Sequence, residues 1–174
     1  MKRAGLFCLG AVIGVAGVLA SATLRTPPAL VWNTTSSAPI GLYRTTPEPQ
    51  PMIGDFVFVR PPPALAGRLA TARFLPQGAL LLKQIAAVAP SVVCRLGDVI
   101  TIDQQPAVRA LERDRFGRPL PVWTGCRRLA ADEVFFINEE PRSLDSRYFG
   151  PLPAAGIVGR ARPLWLFGGD ADAR

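Results

Sequence analysis

The 174-residue sequence contains no histidine. This absence excludes a Ser-His-Asp triad and a Cys-His pair, and it removes the commonest zinc ligand. A serine nucleophile in this chain would therefore need another base, and a lysine amine is the obvious candidate. Lysine is itself scarce, because the only two are Lys2 and Lys83 and arginine supplies the rest of the basic charge. Since Lys2 lies at the extreme N-terminus, only Lys83 remains for chemistry in a folded domain.

Proline and glycine set the next constraint. Eighteen prolines and sixteen glycines argue against a helical protein and favour many short strands joined by turns. The length and the 49% hydrophobic content suffice for one domain with its own core. The net charge of +7 is spread along the chain, which suits anionic lipid headgroups at least as well as nucleic acid, so no nucleic-acid partner is predicted. Phosphate-binding glycine loops and metal-ligand spacings are missing too, so we predict no cofactor and no metal.

The N-terminal part of the chain contains the longest apolar run. Ala4–Leu24 carries no charge and follows two basic residues. About 20 apolar residues span a bilayer, and a basic flank keeps the N-terminus in the cytoplasm. The sequence therefore predicts an anchor over residues 1–25 and one domain over residues 26–174 on the outer side, the periplasm in a Gram-negative source. Because the run ends Ala20-Ser21-Ala22, a cleaved signal peptide is the competing interpretation.

Runs of β-branched, aromatic or aliphatic residues bounded by turn residues predict a mainly β, antiparallel domain. The predicted strands cover residues 56–60, 80–88, 92–94, 99–102, 134–137 and 160–167. Residues 64–72 are a short helix or an irregular segment, and residues 110–121 are an exposed loop. Trp165 and Phe167 in the last strand are expected on a core surface or on a surface that faces the membrane.

Asn33–Tyr43, which we call the serine stretch, places Ser36 and Ser37 just before Pro39 and Gly41. Proline fixes φ and glycine permits conformations that other residues resist. A serine just before such a turn can be held at the end of an element with its hydroxyl exposed. The alternative is a hydroxyl-rich linker between membrane and domain.

Lys83 lies in the middle of the apolar run 80–88. Burial of a lysine is costly while it is charged, and desolvation lowers its pKa. A neutral amine in an apolar pocket is what a general base for serine requires. The alternative is an edge strand from which the ammonium reaches solvent.

Two further stretches carry candidate chemistry. Asp145 and Arg147 follow the predicted strand 134–137, where they either form a solvated surface pair or align the lysine. In the second case we expect Arg147 to pair with Asp145, and Ser146 or a backbone group to bridge Asp145 to Lys83. Cys94 and Cys126 are the only cysteines outside the N-terminal run, so an oxidising compartment predicts a disulfide between them. Two free buried cysteines are the alternative.

Taken in order, these stretches resemble the conjugative transfer signal peptidases (the TraF family), relatives of the bacterial type I signal peptidases. Asn-x-Thr-x-Ser-x-Pro-x-Gly-Leu-Tyr resembles the nucleophile motif, and a lysine followed by polar and small apolar residues resembles the lysine motif. Ser-Leu-Asp-Ser-Arg-Tyr-Phe-Gly-Pro-Leu-Pro resembles the Asp-Ser-Arg motif. Glu139-Glu140-Pro141 replaces the usual Gly-Asp-Asn, and no methionine follows the nucleophile. Both departures point to the conjugative subfamily.

The resemblance implies a coiled antiparallel β-fold with an apolar surface beside the inner membrane, a periplasmic catalytic domain, and a pilin precursor or other exported protein as substrate. It also assigns roles: the nucleophile is Ser37, the general base Lys83, the catalytic carboxylate Asp145, and the binding or positioning residues are Ser36, Pro39 and Arg147. The acyl-enzyme is then released by hydrolysis or by cyclisation. Two alternatives stay open: a general type I signal peptidase, and a non-catalytic periplasmic β-domain of a conjugation or secretion apparatus. The non-catalytic alternative predicts that Ser37 and Lys83 lie far apart.

Overall fold

The computed structural model describes residues 11–17, 28–47 and 51–167. Within these ranges the chain is mainly β, as its composition predicts. The strands are β1 Leu30–Asn33, β2 Gly41–Thr46, β3 Phe56–Val59, β4 Leu81–Val88, β5 Val92–Leu96, β6 Val99–Ile102, β7 Gln105–Arg109, β8 Gly125–Arg128, β9 Glu133–Phe136, β10 Leu152–Pro153 and β11 Ile157–Leu166. Beyond residue 17 the helices are α1 Pro63–Thr71 and α2 Ser146–Phe149, and a 3-10 turn covers Ala154–Gly156.

Two antiparallel sheets form the domain. The large sheet has the strand order β1-β2-β11-β3-β4-β9-β10, and the small sheet has the order β7-β6-β5-β8. The long strand β11 pairs with both β2 and β3, and its register shifts between Pro163 and Trp165 and again between Ile157 and Gly159. Such bulges increase the local twist of a strand. The large sheet therefore curls, which confirms the predicted coiled antiparallel sheet.

The side chains of β3 alternate between two cores. Val57 and Val59 pack with α1 in one core, and Phe58 packs with Tyr43 in another. This alternation follows from the period of two along a strand. Ala38 of the serine stretch belongs to the second core, so the serine-bearing loop rests on the large sheet.

The backbone of β11 passes so close to Gly41 that this position of the serine stretch has no room for a side chain. A β-carbon added at Gly41 would overlap the carbonyl oxygen of Trp165 on the neighbouring strand β11. Close approach of two backbones is a position that favours glycine. The glycine therefore lets β2 pair with β11 directly after the serine loop.

The small sheet is closed by the predicted disulfide. Cys94 on β5 lies opposite Cys126 on β8 and is bonded to it, which confirms the pairing expected from an oxidising compartment. The sheet packs on the large one through a third apolar core that includes Val93, Ile100 and Phe135.

The strands predicted from apolar runs are confirmed, with ends that differ by a few residues, and residues 64–72 form a helix. Residues 110–121 contain no named strand, as predicted; a turn there is closed by an ion pair of Asp114 with Arg118. The sequence did not predict the strands β1, β2, β7, β8 and β10. Four of them lack an apolar run, and in β1 the run Leu30-Val31-Trp32 has only three residues and follows a proline-bearing segment that is typical of a linker.

The predicted anchor falls mostly outside the described residues, which include only 11–17 of Ala4–Leu24. Those residues are helical. Among the described ranges, no helix has the length and apolarity that a membrane crossing requires.

Three exposed aromatic side chains form a cluster on the outer surface of the large sheet. The ring of Trp32 lies edge-on to Trp165 at 5.9 Å and to Phe167 at 5.6 Å. All three are about half exposed, so the core alternative for Trp165 and Phe167 is wrong. We call these residues the aromatic cluster.

The disulfide gives a first prediction. Replacing both partners, with Cys94→Ser and Cys126→Ser, should lower the free energy of unfolding by about 3–4 kcal/mol, because the bond closes a long loop in the unfolded chain. Urea unfolding measures this loss. Cys8→Ser is the matched control, since Cys8 belongs to the N-terminal apolar run and is not a partner in this bond. Equal stability of the double variant and the control would contradict the prediction.

Candidate active site

The loop that carries Ser37 is held together by one asparagine. The side chain of Asn33 is buried, and its Oδ1 accepts from Thr35 N at 3.1 Å and from Thr35 Oγ1 at 2.8 Å. Its Nδ2 donates to the carbonyl oxygens of Thr35, Ala38 and Pro39 at 2.9–3.1 Å. These five hydrogen bonds explain the first position of the serine motif, and with the buried Ala38 they make this stretch part of the folded domain instead of a hydroxyl-rich linker.

The hydroxyl of Ser37 lies 3.2 Å from Thr35 Oγ1. Thr35 already donates its only hydroxyl proton to Asn33 Oδ1, so Ser37 must donate in this contact. Ser36 is exposed and Ser37 is half-buried. Pro39 lies at the surface, and its carbonyl oxygen accepts from the hydroxyl of Tyr43 at 2.7 Å, which fixes the end of the loop.

Lys83 lies in the interior of the large sheet. Strand β4 pairs with β3 on one edge and with β9 on the other, and the Lys83 side chain is only 3% exposed. Its Nζ donates to Ser143 Oγ at 2.8 Å. The alternative of an ammonium that reaches solvent from an edge strand is therefore wrong.

Burial lowers the pKa of Lys83 to about 8. Desolvation is the main cause, since it disfavours the charged amine. The negative charge of Asp145 opposes this shift and the positive charge of Arg147 adds to it. A sizeable fraction of this amine is thus neutral at mildly alkaline pH.

Asp145 and Arg147 form a buried ion pair. Arg147 Nε donates to Asp145 Oδ1 at 2.8 Å and Nη2 donates to Oδ2 at 3.0 Å, while both side chains are at most 1% exposed. Arg147 also donates to the carbonyl oxygens of Asn138 and Pro141. The alternative of a solvated surface pair is wrong, and Arg147 instead holds the segment that follows β9.

Ser143 is a site residue that the sequence reasoning missed. Ser146 was expected to contact the lysine, but its Oγ accepts from Phe136 N at 3.0 Å. Ser143 takes that place, because a turn bond from its N–H to Glu140 O directs the buried side chain towards Lys83. Its position two residues before Asp145, in the same motif, was the available signal.

Ser37 and Lys83 line one cleft, which we call the lysine cleft, with a volume of about 690 Å³. A second cleft of about 620 Å³ lies on the other side of the serine loop. Ser36 and Ser37 line both clefts, so an extended chain crossing Ser37 would occupy each in turn. No hydrogen bond joins Ser37 Oγ to Lys83 Nζ in this structure.

Among the described residues, no group of three acidic, cysteine or histidine side chains is placed to hold a metal ion.

Comparison with known proteins covers nearly the whole chain. The family model described as "Signal peptidase, peptidase S26" matches residues 2–166. A probable conjugal transfer protein TraF of Sinorhizobium fredii is 40% identical over 146 residues, which cover 78% of this chain and 76% of that protein. A conjugal transfer protein TraF of Agrobacterium tumefaciens is 33% identical over 176 residues, 95% and 97% of the two chains. A plasmid transfer protein TraF of Escherichia coli is 31% identical over 164 residues, 88% and 91% of the two chains.

The buried amine predicts a pH-dependent stability. The pKa of Lys83 is about 8 in the folded chain and near 10.5 in a solvated lysine, so the unfolded chain binds more protons between these values. The free energy of unfolding contributed by Lys83 should therefore rise with pH across that window, and below it the buried ammonium destabilises the fold. Lys83→Met should remove this rise and be the more stable protein at pH 7.

Chemical denaturation at a series of pH values checks this prediction. Gln84→Met is the matched control, because it alters the next residue of β4 and leaves the amine in place. Parallel curves for wild type and Lys83→Met would show that the amine is solvated.

Proposed function

The chain belongs to the signal peptidase family, peptidase S26, and to its conjugal transfer (TraF) members, and on that premise we propose that it is a serine endopeptidase that processes an exported pilin precursor. One observation carries the proposal: in a chain without histidine, the buried amine of Lys83 lines the same cleft as Ser37. A lysine with a lowered pKa is a suitable base for a serine nucleophile.

In the proposed reaction the Ser37 hydroxyl turns from Thr35 towards Lys83. The neutral amine takes the hydroxyl proton while Ser37 Oγ forms a bond to the scissile carbonyl carbon. The resulting ammonium then gives this proton to the leaving amine as the C–N bond breaks. Ser143 Oγ already accepts a hydrogen bond from Nζ, so it fixes the direction of the amine throughout.

The developing oxyanion requires hydrogen-bond donors near the serine. The backbone N–H groups of Ser36 and Ser37 donate to no acceptor among the described residues, so they are available for this purpose. Loss of one such donor typically costs a few kcal/mol of transition-state stabilisation. Asp145 acts at a distance, because its charge favours the ammonium form of Lys83 that the proton transfer creates.

The acyl-enzyme is released by water or by an amine. Attack of water gives a shortened linear product. Attack of the substrate's own N-terminal amine gives a cyclic product, lighter than the linear one by a water molecule. The resemblance to conjugative peptidases is compatible with either product, and mass spectrometry distinguishes the linear from the cyclic one.

We place the catalytic domain, residues 26–174, at the periplasmic face of the inner membrane, anchored by residues 1–25. The uncharged run at the N-terminus supports the anchor. The aromatic cluster supports the location, since tryptophan favours the membrane–water interface. Trp32 of that cluster also lines the lysine cleft, so a cleft beside the membrane would suit a membrane-inserted substrate.

Replacing Ser37 and Ser36 one at a time tests directly whether Ser37 is the nucleophile. Ser37→Ala should abolish processing of a pilin precursor from the same conjugation gene cluster, because of the two serines that line both clefts only Ser37 contacts Thr35. Ser36→Ala is the matched control and should retain most of the activity. Co-expression followed by mass spectrometry of the pilin measures both. The reverse pattern would make Ser36 the nucleophile, and activity in both variants would rule out serine catalysis.

The missing histidine makes the pH profile informative. Because only the neutral amine accepts the serine proton, the rate should rise with pH through the lowered pKa of Lys83, about 8, and be highest on the alkaline side. Lys83→Arg should be inactive, since guanidinium does not deprotonate in this range. Arg68→Lys, on the exposed face of α1, is the control for a basic exchange. Processing by the Lys83→Arg variant would remove Lys83 from the mechanism.

A further inference from the structure

We propose that Asn138 is a positioning residue whose side-chain amide sets the place of Ser37 relative to Lys83. This inference rests on the proposed serine–lysine mechanism and adds a residue to it. Asn138 lies two residues after the end of β9 and before the Asp-Ser-Arg motif, and its side chain is 1% exposed.

The amide of Asn138 bonds to both halves of the site. Its Nδ2 donates to the carbonyl oxygen of Ser37 and to that of Leu82, the latter at 3.1 Å. Its Oδ1 accepts from Gln84 N at 2.9 Å. Both amide protons are therefore used, and the backbone of the nucleophile lies within two hydrogen-bond lengths of the backbone of β4.

The contacts to β4 are those of a strand partner. Ile137 N donates to Gln84 O at 3.1 Å, which is the last main-chain bond from the end of β9 to this part of β4. Beyond it the Asn138 amide takes the carbonyl of Leu82 and the N–H of Gln84, the two groups that flank Lys83. The side-chain amide of Asn138 thus makes the two hydrogen bonds beside Lys83 that the backbone of a neighbouring strand would otherwise make.

Few other bonds position the serine loop. The hydrogen bonds of Asn33 join this loop to itself, and Ser37 Oγ bonds to Thr35 within it. Among the described residues, the bond from Asn138 is the only hydrogen bond that joins residues 34–38 to a segment beyond Asn33. Removing the amide would leave the loop internally intact and held against β4 by the packing of Ala38 instead of by a hydrogen bond.

The buried ion pair fixes Asn138 in turn. Asn138 N donates to Asp145 Oδ2 at 3.1 Å, and Asn138 O accepts from Arg147 Nη2 at 2.6 Å. Asp145 and Arg147 therefore act on the serine through Asn138, in addition to the effect of their charges on Lys83. A purely structural role for the amide would instead give loss of stability with unchanged Ser37–Lys83 geometry.

The geometry is tested first without any substrate, in the full-length chain carrying Ser37→Cys. The pKa of the introduced thiol follows from the pH dependence of its alkylation by iodoacetamide, with the modified residue identified by mass spectrometry because Cys8 is also present. A nearby ammonium lowers a thiol pKa by about one unit or more. Adding Lys83→Met should raise the thiol pKa, and adding Asn138→Ala should raise it in the same direction by a smaller amount, because the ammonium remains but lies farther away.

Two further variants keep the result interpretable. Asn138→Leu, which has nearly the same shape, replaces Asn138→Ala if the latter does not fold. Asp55→Asn is the matched control, because Asp55 is a buried polar residue that pairs with Arg160 and lines neither cleft. It should lower the free energy of unfolding and leave the thiol pKa unchanged.

Activity of the Ser37-containing protein gives the second measurement. A displacement of about 1 Å in a reacting group costs up to about 100-fold in rate. Asn138→Ala should therefore lower kcat by about that factor, with KM and the acid limb of the pH profile unchanged, since Lys83 keeps its burial and its neighbours. An acid limb that moves, or a rate loss equal to the unfolded fraction, would overturn the positioning role.

The outcomes separate this inference from the mechanism it builds on. No effect of Lys83→Met on the thiol would overturn both the serine–lysine pair and the role of Asn138. An effect of Lys83→Met without an effect of Asn138→Ala or Asn138→Leu would overturn only the role of Asn138.

Discussion

The burial of one lysine amine is the constraint on which this structure depends. Lys83 lies between two strands of the large sheet, where water cannot solvate an ammonium. A buried polar group is stable only when it is hydrogen-bonded, and a buried charge only when it is compensated. Ser143 provides the hydrogen bond, and the Asp145 carboxylate provides the compensating charge. Desolvation lowers the pKa of Lys83 and the charge of Asp145 partly restores it, so the amine can gain or lose its proton near neutral pH. A fully solvated lysine, or one paired directly with a carboxylate, would stay charged there.

Compensation by a buried carboxylate creates a second requirement, because Asp145 is itself costly to bury. The bidentate pair with Arg147 meets that requirement, and the remaining donors of Arg147 bind the backbone after β9. The small sheet then adds a further support, since Arg95 Nη1 donates to the carbonyl oxygen of Arg147 at 2.6 Å. Polar interactions in a low-dielectric interior are strong when every member is satisfied. The disulfide-bonded small sheet is therefore connected to the amine through two arginines.

Much of the fold and part of the site could be predicted from the sequence. Apolar runs indicated β3, β4, β5, β6, β9 and β11, because burial of a strand requires apolar side chains. The motifs singled out Ser37, Lys83 and Asp145, because these residue types are rare or unusual in their surroundings. The contact of Lys83 with Ser143 was missed, since neither residue is near the other in sequence and the turn that directs Ser143 depends on Glu140. The roles of Asn33 and Asn138 were also out of reach, because an asparagine gives no sign of which carbonyls it will bind.

The choice between arginine and lysine in this chain follows from the same physics. Guanidinium keeps its proton at any pH that a protein meets, so Arg95 and Arg147 can be buried only as permanent charges with fixed partners. They serve as such, each donating to backbone carbonyls inside the domain. An amine loses its proton when desolvation is strong enough. With no histidine and no other lysine beyond Lys2, Lys83 is the one basic side chain of the domain whose charge can change near neutral pH. A chain of this composition thus confines proton transfer by basic side chains to a single buried position, and the hydrogen bonds around that position decide which hydroxyl can use it.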